Sequence, residues 1–284
     1  MKRILLLIAT NLAVMLVLSI VVSVLGFDRW LTANGIDYLS LLVFSAIFGF
    51  GGAFISLLMS KVIAKMSVGA QTIDGSEGST QFWLVQTVER LAREAGIAKP
   101  EVAIYEGAPN AFATGAFKND SLVAVSTGLL NNLNEQEVKA VLAHEMGHVY
   151  NGDMFTTTVL AGLMNTFVYF ISMWVRRLFA ERDQAMLGMV LSFVLQIVLG
   201  ILAMIPIMWF SRRREFGADA FSARVYGKDA MISALRGIER WVTRAQPEYT
   251  TQDPLVTFKI SGKTGGTMSL FASHPSIEER VAAL

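Results

Sequence analysis

The longest hydrophobic stretches of the chain predict its overall organisation. A helix needs roughly 20 predominantly apolar residues to cross a bilayer. Four stretches reach this length, namely residues 4–27, 38–60, 154–175 and 185–210. We therefore expect four transmembrane helices. The alternative for the third and fourth stretches is a buried hairpin inside a soluble domain, but both are longer than usual for a core helix.

The first apolar stretch could also be a signal peptide. Its apolar part is too long for a signal-peptide core, and no small-x-small cleavage site directly follows it. We interpret it as a retained membrane anchor. In the second stretch, Ser45, Gly49 and Ala53 are spaced four apart, which predicts a helix face that packs closely against a neighbour.

Shorter periodic patterns occupy the segments between and after these stretches. Residues 80–96 place their apolar side chains on one side of a helix. The runs 102–105, 110–115 and 121–126 are typical of strands in a small sheet. Asn134 and Glu137 resemble a capping box at the start of a further helix, which we expect to end at Gly152. Beyond the fourth apolar stretch we expect helices at 211–225, 228–244 and 277–284 and a loop at 246–267.

The chain therefore divides into four consecutive parts. Residues 1–60 and 154–210 each contain two expected transmembrane helices. Residues 61–153 and 211–284 together have the size of one domain and combine helices with a small sheet. The predicted fold class is a mostly α membrane protein whose soluble α+β domain is assembled from two chain segments.

Positive charges near the ends of the apolar stretches predict the orientation of the chain. Four crossings put both soluble segments on the same side as residue 1. Basic residues favour the cytoplasmic side of a membrane protein. That side would have Lys2, Arg3, Lys61, Lys65, Arg212, Arg213 and Arg214, whereas the other would have Arg29, Arg176, Arg177 and Arg182. The larger number favours a cytoplasmic soluble domain, although the three arginines near residue 180 argue against it.

The composition agrees with a membrane protein and excludes several kinds of chemistry. Hydrophobic residues make up 53% of the chain and charged residues 17%, whereas soluble proteins average about 25% charged. A net charge of +1 without basic runs argues against nucleic acid as a partner. Because the chain has no cysteine, disulfides, a thiol nucleophile and Cys-based zinc sites are excluded. Any metal ion must be bound by His, Asp or Glu.

The strongest chemical signal is the run His144-Glu145-Met146-Gly147-His148, which contains two of the chain's three histidines. Positions four apart share a helix face, so both imidazoles can bind one metal ion, and zinc is the usual choice for this pattern. Glu145 can accept a proton from the attacking water. The alternative is a surface helix with two exposed histidines. The apolar residues around the motif argue against it, because they indicate a buried helix.

A catalytic zinc site usually has a third protein ligand. The sequence leaves a carboxylate or His274 for this role, and Glu215 is the best carboxylate candidate. Asp219 lies four residues later, where it could hydrogen-bond a ligand histidine. The alternative is that both acids are solvated surface charges. His274 is a candidate donor to the oxyanion or a partner of a ligand, and its alternative is a packing or capping role.

Several short motifs resemble those of the HtpX-type bacterial membrane metalloproteases, within peptidase family M48, which also includes the Ste24 prenyl-protein proteases. The resemblance covers nearly the whole chain. It rests on the opening apolar stretches and on the following motifs: Asn110-Ala111-Phe112-Ala113-Thr114-Gly115, His144-Glu145-Met146-Gly147-His148, Asn151-Gly152-Asp153, Arg214-Glu215-Phe216, Ala218-Asp219-Ala220, and His274-Pro275 with Glu279-Arg280.

This resemblance implies a zincin-like domain with one Zn²⁺ per chain, ligated by His144, His148 and Glu215, with Asp219 as a supporting partner. It implies an endopeptidase in the bacterial inner membrane, with its catalytic domain in the cytoplasm and damaged or unfolded membrane proteins as substrates. It also suggests that the strand formed by Asn110, Ala111, Phe112 and Ala113 pairs with the substrate backbone. Two other functions are considered: a selective processing protease of the prenyl-protein type, and an inactive membrane scaffold.

Overall fold

The computed structural model describes residues 37–249 and 274–284. The expected helix at 4–27 and most of the expected loop at 246–267 lie outside these residues. The described elements, in chain order, are α1 Tyr38–Val68, β1 Gln71–Ile73, α2 Ser79–Ala95, β2 Glu101–Tyr105, β3 Ala111–Phe117, β4 Asp120–Ser126, α3 Thr127–Asn132, α4 Glu135–Asn151, α5 Asp153–Ala180, α6 Ala185–Tyr226, α7 Lys228–Tyr249 and α8 Ile277–Ala283.

Three of the described helices, α1, α5 and α6, are long and apolar enough to cross a membrane. They contain the second, third and fourth apolar stretches. Several expected boundaries differ from the structure. Helix α1 ends at Val68 rather than near residue 60, and α5 ends at Ala180 rather than near residue 175. Helix α6 does not break near residue 210 but runs for 42 residues from Ala185 to Tyr226, because the polar sequence that follows the apolar stretch also favours a helix. Helix α7 extends to Tyr249, five residues beyond its expected end.

The chain forms two compact units. The first contains residues 158–204 and the described residues up to Ile55. Within it, α1 and α5 pack closely at Gly49, where an added Cβ would lie 2.6 Å from the backbone nitrogen of Thr166. Ser45 and Ala53 are buried on the same face of α1. The small residues spaced four apart therefore form a close helix contact, as the sequence predicted.

The second unit contains residues 56–157 and the described residues after 204. Its sheet has four strands in the order β1-β2-β4-β3. β1 pairs with β2 and β3 pairs with β4 in antiparallel fashion, whereas β2 and β4 are parallel. The expected strands are all present. Strand β1 was not predicted, since three mostly exposed residues give too short a pattern.

One face of this sheet packs against helices of the second unit. Val102, Val123 and Val125 from the sheet join Leu84 and Leu142 from α2 and α4 in one buried core. The alternation of side chains along each strand places Ala103, Leu122 and Ala124 on the opposite face, in a second, smaller cluster. Helix α4 is therefore fixed by the sheet on one side.

Both ends of α4 have the predicted signals. Asn134 accepts a hydrogen bond from the Glu137 amide, and the Glu137 side chain accepts one from the Asn134 amide. Gly152 ends the helix in a left-handed conformation at φ 70°. These caps fix where the helix that contains His144 and His148 begins and ends.

Candidate metal centre

His144 and His148 lie one turn apart on α4 and converge. Their rings meet edge to face with centroids 4.8 Å apart, and their Nε2 atoms are 3.2 Å apart. His144 is buried, at 5% exposure. The alternative of two exposed surface histidines is therefore excluded for His144, and the two rings can present nitrogen atoms to one point.

Glu215 on α6 completes a set of three donors. Its Oε2 lies 3.5 Å from His144 Nε2, and its Oε1 lies 3.2 Å from His148 Nε2. One ligand atom from each of the three residues lies within 4.8 Å of the others, as a metal site requires. Glu215 is 3% exposed, so it is not a solvated surface charge.

Close packing of α4 against α6 makes this convergence possible. A Cβ on Gly147 would lie 2.9 Å from the Ala218 Cα, so a larger residue there would separate the helices. The Ser222 hydroxyl donates a 2.7 Å hydrogen bond to the Ala140 carbonyl oxygen across the same interface. Position 147, directly before the second histidine, is therefore occupied by glycine for a structural reason.

Each histidine has a carboxylate at its other ring nitrogen. His144 Nδ1 lies 2.9 Å from Asp219 Oδ1, and His148 Nδ1 lies 2.7 Å from Asp153 Oδ2. A proton on each Nδ1 satisfies these contacts and leaves the lone pair of each Nε2 directed at Glu215. The arrangement then holds two imidazole lone pairs and a carboxylate face to face.

That arrangement is complementary to a cation. Lone pairs that point at each other inside a protein repel, and a bound metal ion removes the repulsion. In addition, Glu215 Oε2 is buried and has no hydrogen-bond partner among the described residues. Its contacts with His144, His274 and Arg280 are ion-pair contacts without hydrogen-bond geometry. A buried carboxylate oxygen that accepts no hydrogen bond is costly, and coordination to a metal would satisfy it. The residues therefore fit a single divalent ion held by His144, His148 and Glu215.

The pKa values of the two histidines in the absence of metal also indicate a site that favours positive charge. Burial by itself would lower the pKa of His148, but the contacts with Asp153 and Glu215 outweigh it and raise the pKa to about 10. Burial also opposes the charged form of His144, yet Asp219 and Glu215 raise its pKa as well. The carboxylates thus create a negative potential that favours positive charge at this point, either protons or a metal ion.

Arg280 on α8 is a further buried charge at the site. Its Nε and Nη2 lie 2.9 and 2.6 Å from the two oxygens of Asp219, and its Nη1 lies 3.5 Å from Glu215 Oε2. Its side chain is 9% exposed. The paired contact holds the Asp219 carboxylate in the orientation that meets His144.

His274 and Glu145 lie at the edge of the donor set. His274 Nδ1 is 2.7 Å from Glu215 Oε2, although the direction of the contact is not that of a hydrogen bond. Glu145, His144 and His274 all line one cavity of about 340 Å³. Glu145 and His274, the predicted groups for proton transfer and oxyanion stabilisation, therefore line the same cavity as His144 of the donor set.

The predicted substrate strand is largely β3, with Asn110 just before it. Among the strands that the structure describes, β3 is the last of the sheet and pairs only with β4. Asn110 is fixed by backbone and side-chain contacts with Ser126, and Asn110 and Ala111 line the same cavity as Glu145. Phe112 packs against Tyr105, with ring centroids 5.6 Å apart.

The sequence did not assign roles to Asp153, Arg214 and Arg280. Asp153 lies directly after Gly152, so the left-handed turn brings its carboxylate back towards His148. Arg214 Nε lies 3.0 Å from the other Asp153 oxygen. These residues belonged to motifs that the sequence resemblance had singled out. Their place in these motifs, as ionisable residues with no other assigned role, was the signal that could have identified them as site residues.

The fold and the donor set define a membrane-bound metalloprotease with a helical HExxH motif. The chain belongs to peptidase family M48, whose sequence profile matches residues 79–284. The protease HtpX homologues of Paracidovorax citrulli and Bordetella pertussis are each 50% identical to the chain, over 100% of its length and 98% of theirs. The homologue of Pelodictyon phaeoclathratiforme is 49% identical and is covered to 99%.

A solved structure supports the same fold. The crystal structure of S. mikatae Ste24p matches 98% of the chain with a TM-score of 0.62, at 19% sequence identity. The chain corresponds to 66% of that longer protein. These comparisons confirm the family that the motifs indicated and a membrane-embedded protease as the function.

Proposed function

We propose that the protein is a zinc-dependent endopeptidase of the bacterial inner membrane. Its catalytic unit faces the cytoplasm, and it cleaves misfolded or damaged membrane proteins. One observation chiefly supports this function: one ligand atom from each of His144, His148 and Glu215 lies within 4.8 Å of the others, and Glu145 lines the same cavity as His144. A donor set of two histidines and one glutamate is that of several catalytic zinc sites in peptidases.

The proposed ligands are His144, His148 and Glu215, with Asp219 and Asp153 fixing the two rings. When bound, zinc would lower the pKa of a water molecule towards neutrality and polarise the carbonyl of the scissile peptide bond. Arg280 keeps Asp219 ionised and oriented, so it acts on the site through Asp219 and His144.

Glu145 is proposed as the general base and then the general acid. It accepts a proton from the attacking water and passes that proton to the nitrogen of the leaving amine. His274 is proposed to donate to the carbonyl oxygen as negative charge develops on it. Its partly exposed side chain at the cavity wall, beside Glu215, supports a role at the reaction centre over a packing role.

An extended substrate segment is proposed to pair with β3. The supporting observation is that β3 is an edge strand whose start lines the cavity containing Glu145. Pairing with a sheet edge requires an extended backbone, and segments that have lost their folded structure supply one. A preference for unfolded chains over folded ones follows from this requirement.

Two alternatives are less well supported. An inactive scaffold would have no need for the complete set of His144, Glu145, His148 and Glu215. A selective processing protease is favoured only by the fold of the longer Ste24p chain, and that likeness carries no information on substrates.

Replacement of Glu145 tests the catalytic proposal. In detergent-solubilised, zinc-loaded protein, we expect Glu145→Gln to lower cleavage of an unfolded membrane protein by about 10²–10⁴-fold, because one proton-transfer group is lost. Zinc content should not change. Glu135→Gln, on an exposed position of the same helix, is the matched control and should remain active. Cleavage by Glu145→Gln at the wild-type rate would overturn the mechanism.

The absence of cysteine makes the orientation testable. A single cysteine at position 135, which is exposed on α4, can be labelled with a membrane-impermeant maleimide. For a cytoplasmic catalytic unit, we expect labelling only after the inner membrane has been opened. Labelling in spheroplasts with an intact membrane would contradict that orientation.

A further inference from the structure

The cavity beside Glu145 has a composition that proton transfer does not explain. Its charged and polar groups are supplied by Asn110, His144, Glu145, His274 and Arg280. Most of the remaining lining is apolar: Leu129, Val141, Met231, Leu235, Ile238 and Ile277. Several of these residues also belong to the buried core, namely Leu129, Met231, Leu235 and Ile277 at 0–3% exposure. Ile238 is only partly buried, so the core leaves an apolar surface open to the cavity, where an apolar group can bind.

The apolar wall is built mainly by one helix. Met231, Leu235 and Ile238 are spaced at i, i+4 and i+7 on α7, so they form one stripe along its face. Val141 faces the same cavity from α4. The wall is thus a continuous surface formed by two packed helices.

The position of Val141 relates this wall to the reacting bond. Val141 precedes Glu145 by four residues, which is about one helical turn or roughly 5–6 Å. An extended substrate advances about 3.3 Å per residue, so a distance of roughly 5–6 Å spans fewer than two residues. An apolar side chain in this cavity therefore belongs to a residue next to, or very near, the bond that Glu145 acts on.

The size of the cavity limits its occupant. A volume of about 340 Å³ is at the small end of ligand pockets, which span roughly 300–1,000 Å³. It has room for one bulky side chain together with the adjoining substrate backbone beside Glu145. Ala111 at the start of β3 also lines the cavity, so a substrate paired with this edge would have its backbone in reach.

We propose that this cavity is a specificity pocket that accepts one bulky apolar side chain of the substrate, such as Leu, Ile, Met or Phe, at a residue adjoining the scissile bond. The inference rests on the proposed endopeptidase function. It adds a substrate preference, with Met231, Leu235 and Ile238 as the residues that determine it. Because membrane proteins are rich in such side chains, the preference agrees with the substrate class proposed above.

The first test is a map of cleavage sites. Zinc-loaded, full-length protein in detergent is incubated with β-casein as an unfolded probe, and the cut positions are identified by mass spectrometry. We expect Leu, Ile, Met and Phe to be enriched at one position flanking the cleaved bond. Cleavage without enrichment at either flanking position would overturn the pocket and leave the endopeptidase function intact. If the zinc-loaded protein cuts nothing, the proposed function itself fails.

The second test changes the pocket. Ile238→Trp narrows it, whereas Ile232→Trp places the same side chain on the same helix at a position outside the cavity lining; both isoleucines are partly exposed. The readout is the ratio of kcat/KM for two peptides that differ only by Leu or Ala at the enriched position. We expect Ile238→Trp to reduce this ratio by about 10-fold or more, since differences of this size separate apolar side chains in pockets. The control should keep the wild-type ratio.

A binding measurement separates recognition from turnover. In a Glu145→Gln background, Kd for the Leu and Ala peptides is measured by fluorescence anisotropy with and without Ile238→Trp. We expect tighter binding of the Leu peptide and loss of that difference in the double variant. Met231→Ala, which enlarges the pocket, should move the preference towards a larger aromatic residue. An equal effect of Ile238→Trp on both peptides, or an equal effect of Ile232→Trp on the ratio, would overturn the assignment.

Discussion

Helix α6 contains two stretches in which polarity and burial are related in opposite ways. In the first, large apolar side chains are exposed: Phe193 at 63% and Trp209 at 53%. In the second, charged side chains are buried: Glu215 at 3% and Asp219 at 1%. One continuous helix thus has exposed apolar side chains in its first part and buried charged side chains in its second part.

The difference shows that the two stretches are stabilised by different surroundings. Exposed apolar residues cost nothing in lipid, so the first stretch needs no protein partner. Buried carboxylates cost several kcal/mol unless they are paired, so the second stretch requires partners. Glu215 and Asp219 have such partners in two histidines, Arg280 and the proposed metal. Four changes sharpen this contrast.

The largest effect on stability is expected from Arg280→Met. It leaves Asp219 and Glu215 buried without their cationic partner, and breaking a buried pair costs about 3–5 kcal/mol. Unfolding of the metal-free protein in detergent measures the loss, and bound zinc should reduce it. Arg236→Met is the matched control, because its pair with Glu239 is more exposed and should be worth about 0–1 kcal/mol. Equal losses in the two variants would contradict the role of Arg280.

Next in size is the effect of a charge on the exposed apolar part of α6. Phe193→Lys should cost up to about 2.5–3.5 kcal/mol if this surface contacts lipid. Phe82→Lys, at a similarly exposed phenylalanine on α2, should change little. The amount of protein retained in carbonate-washed membranes provides the measurement. Similar behaviour of the two variants would show that the exposed apolar surface of α6 does not contact lipid.

A smaller effect is expected where α4 approaches α6. Gly147→Ala brings a Cβ to 2.9 Å from the Ala218 Cα, and such overpacking costs about 1–3 kcal/mol. Because the helices must separate, zinc affinity should fall as well. Gly217→Ala is the control, since its Cβ would be 3.4 Å from the flexible Asn151 side chain and alanine favours a helix by about 1 kcal/mol. In unfolding experiments, Gly147→Ala should lower the free energy of unfolding and Gly217→Ala should raise it. In zinc-competition experiments, only Gly147→Ala should lower the affinity for zinc.

The smallest effect is expected at a partly exposed ion pair. Lys61 and Lys65 lie 2.9 Å from the Glu101 carboxylate and lower its pKa below the ordinary 4.5. Glu101 should therefore stabilise the protein relative to Glu101→Gln above about pH 4.5, and this advantage should disappear as the pH falls through the lower pKa of the folded state. Unfolding curves of both proteins across that range provide the check. A difference that grows as the pH falls would have the wrong sign.

The sequence predicted those features that depend on neighbours along the chain. The capping box at Asn134, the end of α4 at Gly152 and the shared face of His144 and His148 all follow from local spacing. The three long apolar helices and the strands of 102–126 also have clear local patterns.

Several features that depend on tertiary contacts were not predicted. Arg280 meets Asp219 across 61 residues of sequence, and no local pattern specifies that pairing. Asp153 meets His148 across the left-handed residue Gly152, where one helix ends and the next begins. The uninterrupted length of α6 was also missed, because a change from apolar to polar sequence suggested a boundary where the backbone has none. The proposed apolar pocket likewise combines residues from α3, α4, α7 and α8.

The central claim is that the buried end of α6 supplies a metal ligand. It is tested most directly by the zinc content of purified protein, measured by elemental analysis for the wild type, Glu215→Gln and the control Glu239→Gln on α7. The account predicts one zinc ion per chain in the wild type and the control, and almost none in Glu215→Gln, although that variant preserves the shape of the side chain. Full zinc occupancy in Glu215→Gln would contradict it.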